Sequence, residues 1–196
     1  MAKIILASHQ KGGVGKSTLT YNLACNLKDN AKVAMIDVDY QGSLVKISSM
    51  SEVPIFTIDK LDDVLKDDYD FVFVDTPPYL SEELPKLYQL ADAIVVPTKA
   101  GIFDVLAMED TVNLIKEHNV EEKTVIVFNM IKPNTTLTEE IKDQASQYGL
   151  KIAKTMISDL VAFGRSVMEG GVTDSNNAQR QIDNLSKDIF TILIKK

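Results

Sequence analysis

Residues 8–20, SHQKGGVGKSTLT, place Lys11 and Lys16 around Gly12, Gly13 and Gly15. Glycines let a backbone turn tightly and aim successive N–H groups at one point, and a helix opening just beyond them adds its partial positive end. That combination binds phosphate oxygens. In such a loop the backbone of Gly12, Gly13, Val14 and Gly15 cradles the phosphates and Lys16 reaches the β- and γ-phosphates. The Ser17 hydroxyl would ligate Mg²⁺, and Thr18 would help hold the α-phosphate. The stretch QKGGVGKS, residues 10–17, departs from the usual G-x-x-x-x-G-K-[ST] pattern because Gln10 stands at the first glycine. A dinucleotide fingerprint fails, since Gly13 and Gly15 would require a glycine at Thr18. The bland alternative is a flexible glycine turn. The strand-like run before the loop, the helical run after it and two acidic motifs downstream favour phosphate binding.

The first acidic motif is IDVDYQGS, residues 36–43, in which Asp37 and Asp39 close an apolar run. Carboxylates spaced i, i+2 at a strand end point the same way, toward the phosphate loop if the two strands are neighbours. Carboxylates that merely end a strand in solvent are the competing reading. The second is FVFVDTPPYL, residues 71–80, an apolar run ending in Asp75. An acid there would hold Mg²⁺ through water, because that ion keeps much of its hydration. The paired prolines Pro77 and Pro78 would restrict residues 76–80 to few conformations, as suits a switch that reports on a phosphate.

Positioning these groups requires strands that end together. Apolar, β-branched runs occur at residues 3–8, 32–37, 71–75, 93–97 and 124–129, with a weaker one at 54–58. Their nearly continuous apolarity suits parallel strands covered on both faces. Helical patterns fall between them, at 16–28, 81–90, 103–118, 138–148, 159–169 and 177–194. The fourth opens on Thr138, which resembles an N-cap, and closes at Gly149, a good residue just past a helix end. Right-handed crossovers then give an α/β fold, an open, doubly wound, mainly parallel sheet flanked by helices, with ligands at the carboxyl ends of the strands. At 196 residues, without a linker or repeat, one domain over 1–196 is expected.

Composition narrows the chemistry. A net charge of −7 does not suit a chain-wide nucleic-acid binder. The charge is uneven: the only two arginines, Arg165 and Arg180, fall late, with Lys151, Lys154, Lys187, Lys195 and Lys196. A solvated surface is the plain reading of that scatter. Cys25 is the only cysteine, which excludes an internal disulfide and a multi-cysteine metal centre within the chain, and it reads as a small apolar helix residue. His9 and His118 stand in no ligand-like spacing, so the expected metal is the one a nucleotide brings. The run MAKIILASHQ reads as a first strand rather than a signal peptide, and no apolar run approaches the roughly 18 residues of a membrane span. The expected location is cytoplasmic.

KGGVGKST, residues 11–18, resembles the deviant Walker A motif K-G-G-x-G-K-[ST] of the ParA/MinD superfamily of ATPases. IDVDYQGS, FVFVDTPP, ADAIVVPTKAGIFD and NMIKPNT are similar to the family's later segments. The resemblance implies an ATPase that binds ATP or ADP with Mg²⁺ and forms an ATP-dependent homodimer, or a higher assembly. In that dimer the extra lysine, Lys11, reaches the phosphates held by the other subunit. With no arginine before Arg165, Lys11 is the best local cation for transition-state charge. By the same resemblance Asp39 positions or polarises the attacking water and Asp37 supports the Mg²⁺ shell. Asn129 is assigned to adenine, against the alternative of a turn former. The 97–103 loop lines the nucleotide or the dimer face. Tyr40 stands where the family has proline, which alters switch rigidity.

TMISDLVAFGRSVMEGGVTD, residues 155–174, is similar to small ParF-type partition ATPases without an N-terminal DNA-binding extension, and none is expected here because Lys3 opens the first strand. That implies a DNA-segregation ATPase stimulated by a small centromere-binding, ParB/ParG-like partner. Nonspecific DNA would meet Arg165, Arg180, Lys151 and Lys154, although Leu160 replaces a frequent arginine. One alternative is a MinD-like membrane positioner anchored by DNLSKDIFTILIKK, whose apolar residues follow the last helical turns without a linker and better suit docking on the sheet. The other is a ligase or reductase, for which substrate motifs and cluster cysteines are missing.

Overall fold

The computed structural model describes residues 1–132 and 137–194. In chain order it comprises β1 (Lys3–Ala7), α1 (Lys16–Leu27), β2 (Val33–Asp37), β3 (Ile55–Thr57), α2 (Leu61–Val64), β4 (Phe71–Asp75), α3 (Leu84–Leu90) and β5 (Ala93–Thr98). Then follow α4 (Ile102–Leu106), α5 (Met108–Glu117), β6 (Thr124–Phe128), α6 (Leu137–Ser146), β7 (Lys151–Ile152), α7 (Val161–Arg165) and α8 (Asn176–Leu193). The strands form one seven-stranded sheet in the order β3-β2-β4-β1-β5-β6-β7, with every pairing parallel.

Parallel strands buried on both faces need apolar side chains at every position, which explains their unbroken apolar runs. Alternate residues of β1 divide between two cores. Ile4 and Leu6 pack with Leu87, Tyr88, Met108 and Ile115 of α3 and α5, and Ile5 packs with Leu19, Leu23, Ile182 and Leu185 of α1 and α8. The chain crosses from one side of β1 to the other between β4 and β5. Such a reversal opens a crevice at the carboxyl ends of the central strands.

Several expected boundaries move. The pattern over 103–118 is two helices, α4 and α5, parted by a single residue at Ala107, although Val105, Met108, Val112 and Ile115 keep the spacing of one buried face. Of 159–169 only α7 is helical, and the segment ends in Gly170 and Gly171, both at positive φ. The helix expected from Ser81 begins at Leu84, with Pro85 in its first turn, where a missing N–H costs nothing. The weak strand at 54–58 survives as edge strand β3, while β7, two residues long, carries too little pattern to be anticipated. Gly149 has φ +76°, the left-handed turn expected after α6. Helix α6 begins at Leu137, so Thr138 falls inside the helix and not at its cap, while the terminal Lys195 and Lys196 lie outside the described residues.

The last helix uses its apolar face against the sheet. Ile182, Leu185 and Ile189 are buried, and the Phe190 ring stacks on Phe71 with centroids 5.6 Å apart. Among the described residues no helix is long and apolar enough to cross a membrane.

Candidate functional site

Strand register brings the acidic motifs together. Asp75 ends β4 and is paired on one side with Ala7, where β1 runs into the glycine loop, and on the other with Asp37 of β2. The two loop-facing strands are therefore β1 and β4; β2 is one strand further away, so Asp75 and not Asp37 stands beside the loop.

The loop's conformation depends on glycine at two places. Gly13 and Gly15 have φ of +71° and +90°, the left-handed region that side chains disfavour. A Cβ at Gly15 would in addition collide with the Asn129 amide. That amide donates to the Val14 carbonyl at 2.8 Å, so Asn129 braces the loop from the end of β6. Gln10, standing at the motif's missing glycine, has no positive φ and donates its N–H to Thr111 of α5 at 3.2 Å. Its backbone asks nothing that only glycine could supply.

Both lysines are engaged, in different directions. Lys16 is buried at 7 % exposure and its ammonium turns back to the Lys11 carbonyl at 3.2 Å. Burial pushes its pKa below the ordinary lysine value, against the opposing pull of Asp75 and Asp39. Lys11 sends its ammonium away from the loop, to the Asp104 carboxylate at 2.8 Å and the Phe103 carbonyl at 3.4 Å, both on α4. Its backbone N–H donates to Nδ1 of the buried His9 at 2.9 Å.

The Ser17 hydroxyl donates to Oδ2 of Asp75 at 2.5 Å, while Oδ1 of Asp75 is buried with no hydrogen-bond partner among the described residues. Burial raises the Asp75 pKa to about 7; the Ser17 hydrogen bond opposes this, Asp37 adds to it, Lys16 opposes it and Asp39 adds a little more. A buried carboxylate with an unmatched oxygen beside a serine hydroxyl is a donor set for a hard divalent cation, and it fits Mg²⁺ completed by phosphate and water oxygens. Asp37 is otherwise occupied. Its Oδ1 accepts the Asp39 N–H at 3.0 Å, and its Oδ2 accepts those of Leu44 and Val45 at 2.8 and 3.0 Å, which folds the 38–45 loop around it. Asp39 sits on that loop, accepting the Gln41 N–H at 2.9 Å.

These groups line a cavity of about 310 Å³ floored by Gly13, Gly15, Lys16, Ser17 and Thr18 and walled by Asp39, Ser43, Thr76 and Pro78. A second cavity of about 560 Å³ shares Thr18 and Met130 with it and runs between Leu19, Asn129, Ser158, Leu160 and Phe163 to Arg165. The smaller space has the polarity and size for phosphates, and the larger is mostly apolar, as a base requires. Met130, common to both, has φ +56°, an uncommon conformation for its type. Sequence reasoning missed Ser43, Met130, His9 and Asp104. Only His9, adjoining the loop, carried a positional hint.

A strand-loop-helix phosphate cradle at the switch point of a parallel sheet, flanked by an acid-ended strand, defines a P-loop nucleoside triphosphatase. Residues 5–173 match the family model described as the CobQ/CobB/MinD/ParA nucleotide binding domain, and the chain belongs to that family. It is similar to the maintenance of carboxysome distribution protein A of Halothiobacillus neapolitanus, 25 % identical over 85 % of this chain and 84 % of the relative. Among solved structures, the ATP complex of a Cyanothece McdA variant superposes with a TM-score of 0.76 at 14 % identity, covering 100 % of this chain and 98 % of that one. A plasmid partition protein of Borrelia burgdorferi gives 0.72 at 17 % identity, over 97 % and 98 %. The chain is a ParA/MinD-type ATPase.

Proposed function

We propose that the chain is a partition ATPase: two copies pair when each binds Mg-ATP, and a partner protein bound to the cargo triggers hydrolysis. The observation that carries this reading is the position of Lys11, whose ammonium stands at the outer rim of the loop, 2.8 Å from Asp104, and not inside it. A cation at the mouth is placed to meet phosphates presented by another copy, while Lys16 serves the loop's own nucleotide. Exposed Phe103, whose carbonyl accepts from Lys11, and exposed Tyr79, near Asp39, are large side chains that favour burial against a second molecule.

Within that reading the loop residues 12–18 hold the phosphates, and Asn129 contributes by bracing Val14 beside the base cavity. Ser17 and Asp75 hold Mg²⁺, which when bound offsets charge on the β- and γ-phosphates. Asp39 orients the attacking water, and Asp37 acts on the Mg²⁺ shell through the loop it anchors. Lys11 and Lys16 stabilise charge on the transferring phosphoryl group.

DNA is the proposed track. Of the four candidate contacts, Lys151 is paired with Glu122 at 3.3 Å and Arg165 lines the base cavity. Arg180 and Lys154 thus carry more of the expected phosphate contact. The test is fluorescence anisotropy on nonspecific duplex DNA with the Asp39→Ala variant, which should bind ATP without hydrolysing it. ATP-dependent binding that weakens steeply with salt is expected, since each neutralised phosphate releases counterions. Absence of binding with ATP at low salt would contradict the DNA track and favour cargo carriage of another kind.

A further inference from the structure

The backbone of Lys11 is fixed inside its own loop, by His9 at the N–H and Lys16 at the carbonyl, whereas its side chain is committed across a gap to α4. Asp104 lies in the first turn of that helix and accepts the ammonium at 2.8 Å, with the two side chains 17 % and 34 % exposed respectively. The carboxylate is folded back over Gly101, where a Cβ would meet Oδ2 at 2.5 Å, so the residue before α4 must be small for Asp104 to hold this position. Lys11 Nζ has three N–H donors, but it sits 2.8 Å from Asp104 of its own subunit, and a side chain extended to phosphates on a second copy would leave that contact. The carboxylate oxygens therefore occupy, in the isolated chain, the role that phosphate oxygens would take in a pair.

We infer that Asp104 is a positioning residue that keeps Lys11 in its own subunit until a nucleotide on a second copy competes for the ammonium. This rests on the proposed role of Lys11 across the dimer. Two consequences follow from the chemistry. A copy facing ADP or no nucleotide has no γ-phosphate to outbid the carboxylate, so Lys11 remains with Asp104. Pairing with ATP exchanges one counter-anion for another and releases two carboxylates per dimer to solvent, so Asp104 sets how much ATP-bound protein is needed before pairs form.

The test is sedimentation velocity with a nonhydrolysable ATP analogue on wild type, Asp104→Asn, Asp104→Glu, Lys11→Ala and the Lys11→Ala/Asp104→Asn double variant. Binding of a fluorescent ADP by each monomer is measured alongside. Asp104→Asn should pair more tightly than wild type, roughly 2- to 30-fold for two weak ion pairs removed per dimer, with ADP binding unchanged. Asp104→Glu keeps the charge and should pair like wild type. In the Lys11→Ala background Asp104→Asn should change nothing. Pairing by Asp104→Asn that is equal to or weaker than wild type overturns the inference, and so does tightening that persists without Lys11. If Asp104→Asn folds poorly, Asp104→Ser carries the same comparison. Should Lys11→Ala alone pair normally, the role of Lys11 itself fails, an outcome separate from the failure of Asp104.

Discussion

His9 shows how closely single residues in this loop are balanced. It is 1 % exposed, accepts the Lys11 N–H at Nδ1, and so carries its proton on Nε2, which has no partner among the described residues. Its pKa is pushed down to about 4, first by burial, then by Lys16 and Lys11, with Asp104 pulling weakly the other way. In the unfolded chain the same group titrates near 6.5. A depressed pKa means that the neutral ring's contribution is complete above about 6.5 and is lost as pH falls toward 4. The loss is on the order of 3 kcal/mol for the whole shift. Urea unfolding at pH 7 and pH 4 should show wild type losing more stability than His9→Gln over that interval; parallel losses would contradict the buried neutral histidine.

At the scale of elements, the strands and the phosphate loop were legible in the sequence because parallel strands and glycine turns impose local patterns. What was not legible depends on pairing. Asp37 and Asp39 look alike on the page, yet insertion of β4 between β1 and β2 leaves Asp75 at the loop and assigns Asp37 to three backbone N–H groups. The break at Ala107 interrupts a helix whose two halves cover the same core, and the Lys11–Asp104 pair joins segments far apart in the chain. Helix α8, whose apolar ending suits docking on the sheet better than anchoring in a membrane, packs Leu185 at 0 % exposure against α1 and the sheet. Leu185→Ala should therefore cost about 2–5 kcal/mol of unfolding free energy by denaturant titration, the range for a large-to-small core change. A cost below about 0.5 kcal/mol, usual for surface positions, would contradict a docked helix.

For the whole molecule, the fold sets the phosphate loop and the Asp39 loop around one cavity, with the Lys11 ammonium turned from that loop to α4. On the proposed reading a second copy completes that site. The relatives' cargoes differ, a carboxysome in one name and a plasmid in another, so the shared property to test is nucleotide-dependent pairing through Lys11. The most direct measurement is sedimentation velocity of wild type and Lys11→Ala in Mg-ATP and in Mg-ADP, with monomer nucleotide affinity measured in parallel. Wild type should shift from monomer to dimer in Mg-ATP alone, while Lys11→Ala binds nucleotide normally and remains monomeric. Dimerisation of Lys11→Ala to the wild-type extent, or loss of nucleotide binding by its monomer, would contradict the assignment of Lys11 to the neighbouring copy.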